Sequence, residues 1–242
     1  MTEVPRPSAP STPSTMIRDN LHRVRERLET ASRRARRDPG GITLIGITKT
    51  MTVERIREAV AAGLTHLGEN RVQEADGKIP LLGGASAGLT WHLVGHLQSN
   101  KSRKAVELFD CIHSVDSSRL ARMLSSEAAA RAARRDILIQ VDLGGEPTKF
   151  GLEPGLLDEL IKEAVSLPML RVRGLMTIPP MFEDPEGSRP FFRRLRELRD
   201  RLAQSGCDLP DLSMGMTNDF EVAIEEGATM VRVGRAIFGA RS

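Results

Sequence analysis

Two spacings of apolar residues alternate along this chain, and the alternation repeats to its end. In residues 16–37, Ile17, Leu21, Val24, Leu28, Ala31 and Ala35 recur at steps of three and four. That spacing puts them on one face of a helix, which Pro39-Gly40-Gly41 stops. Residues 42–50 then form a short apolar run rich in β-branched side chains. Such a run is expected of a parallel strand buried on both faces. Thr52 is placed to cap a second helix, with Val53, Ile56 and Val60 on its inner face and Gly63 at its C′ position. The pattern predicts further strands at 65–70, 89–95, 111–115, 137–142, 171–177, 212–215 and 229–234. Between them it predicts helices at 71–79, 99–108, 117–134, 154–166, 188–204 and 218–226, with Ser99 capping the second of these.

Eight strands interleaved with helices predict a single closed (β/α)8 TIM barrel carrying an extra N-terminal helix. The 242 residues are close to the ~250 usual for that fold. An open doubly wound sheet would need a glycine-rich turn after its first strand, and Thr48-Lys49-Thr50-Met51 has none. The Pro/Ser/Thr-rich residues 1–15 are expected to be a disordered tail, and 16–242 the barrel domain.

Composition narrows the class. Apolar residues make up 40% of the chain, but aromatics only 3%, with one Trp and no Tyr, so Leu, Ile, Val, Ala and Met must build the core. No apolar run approaches the ~18 residues of a membrane helix, and the N-terminus lacks the apolar segment of a secretory signal. Cys111 and Cys207 are far apart and without metal-site spacing, as expected of reduced thiols in the cytoplasm. The net charge of +3 comes from residues 16–40, where eight arginines face four acids. A basic helix can meet nucleic acid, but a solvated helix face is the commoner origin of such charge.

Three features carry candidate chemistry. Side chains alternate along a strand, so Lys49 shares a face with Ile45 and Ile47 at the carboxyl end, where barrels of this type hold their chemistry. Desolvation there would disfavour the ammonium and leave a nucleophilic amine suited to an aldehyde; the alternative is a lysine reaching out to solvent. After the seventh strand, Ser213 and Thr217 supply hydroxyls, Gly215 permits close backbone approach, and a helix start supplies free amides, all suited to a phosphate. Asn218 with Glu221 resembles a capping box, while the charges of Asp219 and Glu221 oppose an anion unless they point away. In the eighth strand, Arg232 faces the lumen if Val231 and Val233 face the helices, and Gly234 leaves room for a ligand. A lumen arginine needs a partner, and an acid such as Asp142 is one expectation. Together these features describe a pocket for a phosphorylated aldehyde, and pyridoxal 5′-phosphate (PLP) fits. His92 and His96 lack a third zinc ligand and are expected to be buried hydrogen-bonding residues.

From about residue 16 onward the chain resembles the YggS/PROSC-type pyridoxal phosphate homeostasis proteins, which are similar to the barrel domain of alanine racemases. The resemblance rests on Gly68-Glu69-Asn70-Arg71-Val72-Gln73-Glu74, Trp91-His92-Leu93-Val94-Gly95-His96-Leu97-Gln98-Ser99-Asn100-Lys101 and Ile112-His113-Ser114-Val115-Asp116-Ser117. It continues through Gly174-Leu175-Met176-Thr177-Ile178-Pro179, Leu212-Ser213-Met214-Gly215-Met216-Thr217-Asn218-Asp219-Phe220-Glu221 and Met230-Val231-Arg232-Val233-Gly234. It implies a PLP aldimine on Lys49, a phosphate held by Thr217 and Gly234 with Ser213 and Gly215, and Arg232 at the pyridine nitrogen. An arginine there leaves the ring nitrogen unprotonated and weakens the ring as an electron sink. The implied function is buffering and delivery of PLP in the cytoplasm by a monomer without catalytic turnover. Apo PLP-dependent enzymes are the implied recipients, and neither nucleic acid nor membrane is a partner. The alternative is a PLP-dependent amino-acid racemase. In alanine racemases the second acid/base is a tyrosine from a further β-rich domain, for which this chain has neither the residue nor the expected room after Ser242. Two positions depart from the family pattern. Met51 replaces a second lysine, and Arg235 stands where a small hydroxyl residue is usual.

Overall fold

Parallel strands that are apolar on both faces need helices on one side and filled space on the other. A barrel supplies both, and the chain forms one. The computed structural model describes residues 13–145 and 150–239. Its strands are β1 (Thr43–Ile47), β2 (His66–Glu69), β3 (Thr90–Leu93), β4 (Cys111–Val115), β5 (Arg135–Gln140), β6 (Leu170–Met176), β7 (Asp211–Met216) and β8 (Met230–Val233). Each pairs in parallel with the next, and β8 pairs back onto β1 to close the ring. The open-sheet alternative is thereby excluded, and the barrel predicted from periodicity is the one observed.

The helices are α1 (Pro13–Arg34), α2 (Val53–Ala61), α3 (Val72–Leu82), α4 (Ser102–Leu108), α5 (Ser118–Ala129), α6 (Leu157–Ser166), α7 (Arg189–Gln204), α8 (Phe220–Glu225) and α9 (Arg235–Phe238). Thr52 caps α2 as expected, accepting from the Arg55 amide, and Gly63 follows that helix at φ +87°. Ser99 does not act as a cap. It opens a short 3-10 turn, and its carbonyl accepts from the Ser102 hydroxyl at 2.6 Å. The helix expected over 117–134 stops at Ala129, and Ala132 takes the left-handed conformation at φ +49°. Of the tail expected over 1–15, residues 1–12 lie outside the described residues, and α1 begins at Pro13. Among the described residues, no helix is long and apolar enough to cross a membrane.

α1 lies across α2, α8 and α9, over the outside of the β8–β1 seam. Ile17, Leu21, Val24 and Ala31 are buried there, so the apolar stripe read from the sequence is what docks this helix. Its arginines turn largely onto the chain itself. Arg27 pairs with Glu221 at 2.7 Å and Arg34 with Glu225 at 3.1 Å, while Arg25 donates to Gly63 O at 2.6 Å. Partly exposed pairs of this kind contribute at most about 1 kcal/mol each, so they orient the helix rather than hold it.

The lumen departs from the usual filling of bulky branched side chains. Residues paired across neighbouring strands share a face, so Ile45, in register with both His66 and Arg232, places all three inside. His92, in register with Cys111, is inside too, and Cys111 packs with Leu138 and Met176. His92 is 2% exposed, and desolvation, with the nearby His66, pushes its pKa down to about 3. Burial likewise holds His113 well below the ordinary imidazole range. A line of neutral imidazoles therefore crosses the core.

Two predictions follow from this interior. The folded pKa of His92 lies below the unfolded value of about 6.5, so the unfolded chain binds the proton first as pH falls. The stability tied to His92 is thus complete above about pH 6.5 and drains away toward pH 3, on the order of 2 kcal/mol of it by pH 5. Thermal melts from pH 7 to 5 should show a shallower acid decline in His92→Gln than in the parent; identical slopes would contradict the assignment. At Gly174, in register with Asp211, a Cβ would overlap the Asp211 carbonyl oxygen. Gly174→Ala should therefore cost about 3 kcal/mol or more, whereas Gly155→Ala, with nothing within 4 Å, should be close to neutral in denaturant titration.

Candidate functional site

The chain leaves β1 through a turn, and Lys49 sits in it on the lumen-facing parity of Ile45 and Ile47. Both of its neighbours are pinned from behind. Thr48 donates its hydroxyl to Glu69 Oε1 at 2.7 Å, and its carbonyl accepts from Lys78 Nζ at 2.8 Å. Thr50 takes a left-handed φ of +64°, and its amide donates to Glu74 Oε2 at 2.9 Å. Lys78 ties the two acids together, lying 2.7 Å from Glu69 and 3.4 Å from Glu74. Desolvation pushes the fully buried Glu69 carboxyl up, against hydrogen bonds from Lys78 and Thr48. Burial also acts on Glu74, but the Thr50 amide and Lys78 outweigh it and hold that carboxyl below its ordinary range. Lys49 is therefore mounted on a turn fixed at the peptide groups on either side.

β8 runs beside β1, so its end opens onto the same pocket. Ile47, Lys49, Thr50, Met51, Gly234 and Arg235 line it. At Gly234 a Cβ would come to 3.5 Å from Ile47 Cβ and narrow that opening. Met51 packs partly buried against the core, and Arg235 is exposed at the rim.

Arg232 lies deeper, only 4% exposed, as the alternation of Val231 and Val233 predicts. Its partner is not an acid. Nη1 donates to Ser213 Oγ at 2.6 Å and Nη2 to Thr177 O at 2.9 Å. Asp142, the expected counter-ion, instead accepts from the amides of Gly144 and Gly145 at 3.0 and 3.1 Å. Desolvation lowers the Arg232 pKa to about 10, with Asp219 opposing, and the guanidinium remains a cation at neutral pH.

The loop after β7 is arranged differently from the expected capping box. Asp219, not Asn218, occupies the N-cap position of α8. The Asp219 carboxylate turns back to accept from the Met216 amide at 2.7 Å and the Ser188 hydroxyl at 2.9 Å, and Glu221 is drawn to Arg27. Glu221 is thus drawn outward, while Asp219 stays within the loop and takes up one of its amides. Gly215 has φ +88°, and a Cβ would sit 2.9 Å from Phe220 Cα, so packing of α8 already demands glycine there. Ser213 is fully buried, with its hydroxyl between Arg232 and His113 Nδ1, the latter at 2.9 Å. That places it beneath Arg232 rather than at the mouth. Thr217, half-buried in the turn, makes no side-chain hydrogen bond among the described residues.

Of the two histidines expected to be buried, His92 is buried and hydrogen-bonded, whereas His96 is exposed and stacks on Phe150 at 3.6 Å between centroids. Sequence reasoning assigned no part to His66, His113, Thr177, Lys78, Glu69 and Glu74. Only the motifs quoted for the resemblance signalled some of them, because their partners are far apart along the chain.

Comparison with known proteins places this geometry. Residues 19–242 match the family described as alanine racemase, N-terminal domain. The chain is 47% identical over 224 residues to the pyridoxal phosphate homeostasis protein of Aquifex aeolicus, covering 92% of this chain and 97% of that one. It is 43% identical over 225 residues to the protein of the same name in Pseudomonas aeruginosa, covering 93% and 96%. Among solved structures it is similar to PipY of Synechococcus elongatus with PLP bound, at 39% identity and a TM-score of 0.81, covering 92% of this chain and all of that one. The chain belongs to the pyridoxal phosphate homeostasis proteins, within the family of the alanine racemase N-terminal domain.

Proposed function

We propose that this chain binds PLP at the mouth shared by β1 and β8 and holds it for buffering and delivery, without catalytic turnover. The observation that carries the proposal is the β8–β1 pairing. It brings an amine, Lys49, and a side-chain-free rim, Gly234, onto one pocket, with a fixed cation, Arg232, on the lumen face below. The donor set suits the cofactor. Lys49 Nζ, partly buried at the pocket, is the group to condense with its aldehyde. The uncommitted hydroxyl of Thr217 and the backbone at Gly215 and Gly234 are assigned to the phosphate. When bound, PLP supplies an electrophilic aldehyde and an aromatic ring able to accept electron density.

Arg232 decides between holding and turning over. Held by Ser213 and Thr177, it can offer a hydrogen bond to a ring nitrogen but not surrender its proton at neutral pH. A ring left unprotonated is a weaker electron sink, which favours storage over carbanion chemistry. The homeostasis name of the relatives and the PLP held by PipY support the same reading. Enzymes that receive the cofactor, a cytoplasmic setting and a monomeric state are part of it.

Reconstitution with PLP should give a visible absorbance band that Lys49→Ala lacks, and borohydride should fix the label to the peptide containing Lys49; a band that survives the substitution would reject the assignment. Thr217→Val should weaken PLP binding by at least about tenfold, since a hydrogen bond to a charged group contributes about 1.5–3 kcal/mol. Equal affinities by titration would remove Thr217 from the site. The loaded protein should racemise L-alanine no faster than free PLP, and steady formation of D-alanine would replace storage with catalysis.

A further inference from the structure

Arg232 stands at one end of a hydrogen-bonded chain that crosses the barrel. Its Nη1 donates to Ser213 Oγ at 2.6 Å, and Ser213 Oγ lies 2.9 Å from His113 Nδ1. His113 Nε2 lies 2.9 Å from His92 Nδ1, and His92 Nε2 lies 3.0 Å from His66 Nδ1. His113 and His92 are buried, whereas His66, at the amino-terminal end of β2, is only half-buried. Five strands that are not all neighbours thus contribute one continuous line from the site to the far end of the lumen.

Satisfying every buried hydrogen fixes its polarity. The guanidinium only donates, so Ser213 Oγ accepts from Arg232 and has one hydrogen of its own to place. Among the described residues its other partner is His113 Nδ1, and pairing that buried hydrogen makes this nitrogen the acceptor. A neutral imidazole with a bare Nδ1 carries its hydrogen on Nε2. His113 then donates to His92, and His92, in the same tautomer, donates to His66. Every bond donates away from Arg232. Bonds aligned in this way polarise one another, making the serine oxygen a better acceptor for the guanidinium. His92, His113 and Cys111 also present their ligand atoms within 4.8 Å of one another. Both nitrogens of each of these imidazoles are already engaged, however, which leaves no lone pair for a metal ion.

We propose that His66, His92 and His113 form a single-tautomer relay of neutral imidazoles that positions Ser213 and, through it, holds the Arg232 guanidinium at the ring-nitrogen side of the ligand site. They are positioning residues, not ligands, and the proposal rests on the PLP reading above. It gives Ser213 a place in the relay in addition to, or instead of, any contact with phosphate.

The relay itself is read without ligand. In the 15N-histidine-labelled chain at pH 7, imidazole spectra should show His66, His92 and His113 all neutral, with hydrogen on Nε2 only. A protonated ring, an Nδ1–H tautomer, or zinc retained on these residues would overturn it. Positioning is read with PLP. His113→Phe should raise the dissociation constant about tenfold and shift the visible band, while borohydride still labels Lys49. His113→Asn, whose Oδ1 takes the place of Nδ1, should restore both. His92→Leu, one bond further away, leaves the His113–Ser213 contact and should give a shift of about threefold, which serves if His113→Phe does not fold. Unchanged affinity and band in both apolar variants would overturn the positioning role. If the parent chain takes up no PLP, the functional reading fails, and the ligand-free spectra identify that failure as separate from the relay.

Discussion

The pairing of the last strand with the first is the constraint on which the site depends. Thr43 meets Met230 and Ile45 meets Arg232 in that register. A shift of one residue would turn Arg232 out toward the helices and bring Val231 or Val233 into the lumen. The seam is covered from outside by α1, whose buried Ile17, Leu21 and Val24 press on the helices flanking it. An extra helix that contributes no residue to the pocket thus secures the geometry of the two that matter, Lys49 and Arg232.

A buried guanidinium is costly unless its donors are satisfied. This barrel satisfies Arg232 with a hydroxyl and a carbonyl instead of a carboxylate. The choice has a chemical consequence. A close carboxylate would neutralise the cation and compete for the hydrogens that a ligand nitrogen needs. Neutral acceptors leave the charge available, while desolvation lowers its pKa only to about 10. Asp142 and Glu221 are engaged elsewhere, and Asp219, held by the Met216 amide, acts on Arg232 through its charge and not by contact.

Much of the fold was legible because doubly buried strands read as short β-branched runs with helical spacing between them. β4 matches its expected bounds at both ends, and β8 differs by a residue at each. The lysine and arginine of the site were legible from strand parity alone, since alternation requires only one register assumption per strand. What was not legible depends on contacts between strands distant in sequence. Ser213 reads as a phosphate hydroxyl beside Thr217 until β7 is set against β4, where His113 claims it. Asn218 and Glu221 have the spacing of a capping box, but Arg27 of α1, far away in sequence, takes the glutamate. Gly215 invites a ligand-approach argument, yet α8 alone accounts for it. The short α9 escaped because four residues carry too little periodicity to register.

The two anchors of the pocket are held in different ways. The peptide groups on either side of Lys49 are fixed by Lys78 and Glu74 behind the strand. Arg232 is fixed at the guanidinium itself, by two hydrogen bonds within the lumen. In the PLP reading proposed above, the rigid cation and the glycine rim preorganise recognition of ring and phosphate, while the amine's bond to an aldehyde is reversible by water. An enzyme would also need a group to move protons on the bound substrate, at a pKa near the working pH. The residues that surround Arg232 are instead a hydroxyl, a carbonyl and imidazoles whose pKa values burial has carried far below neutrality. The imidazoles beneath Arg232 are thus not poised to exchange protons at neutral pH.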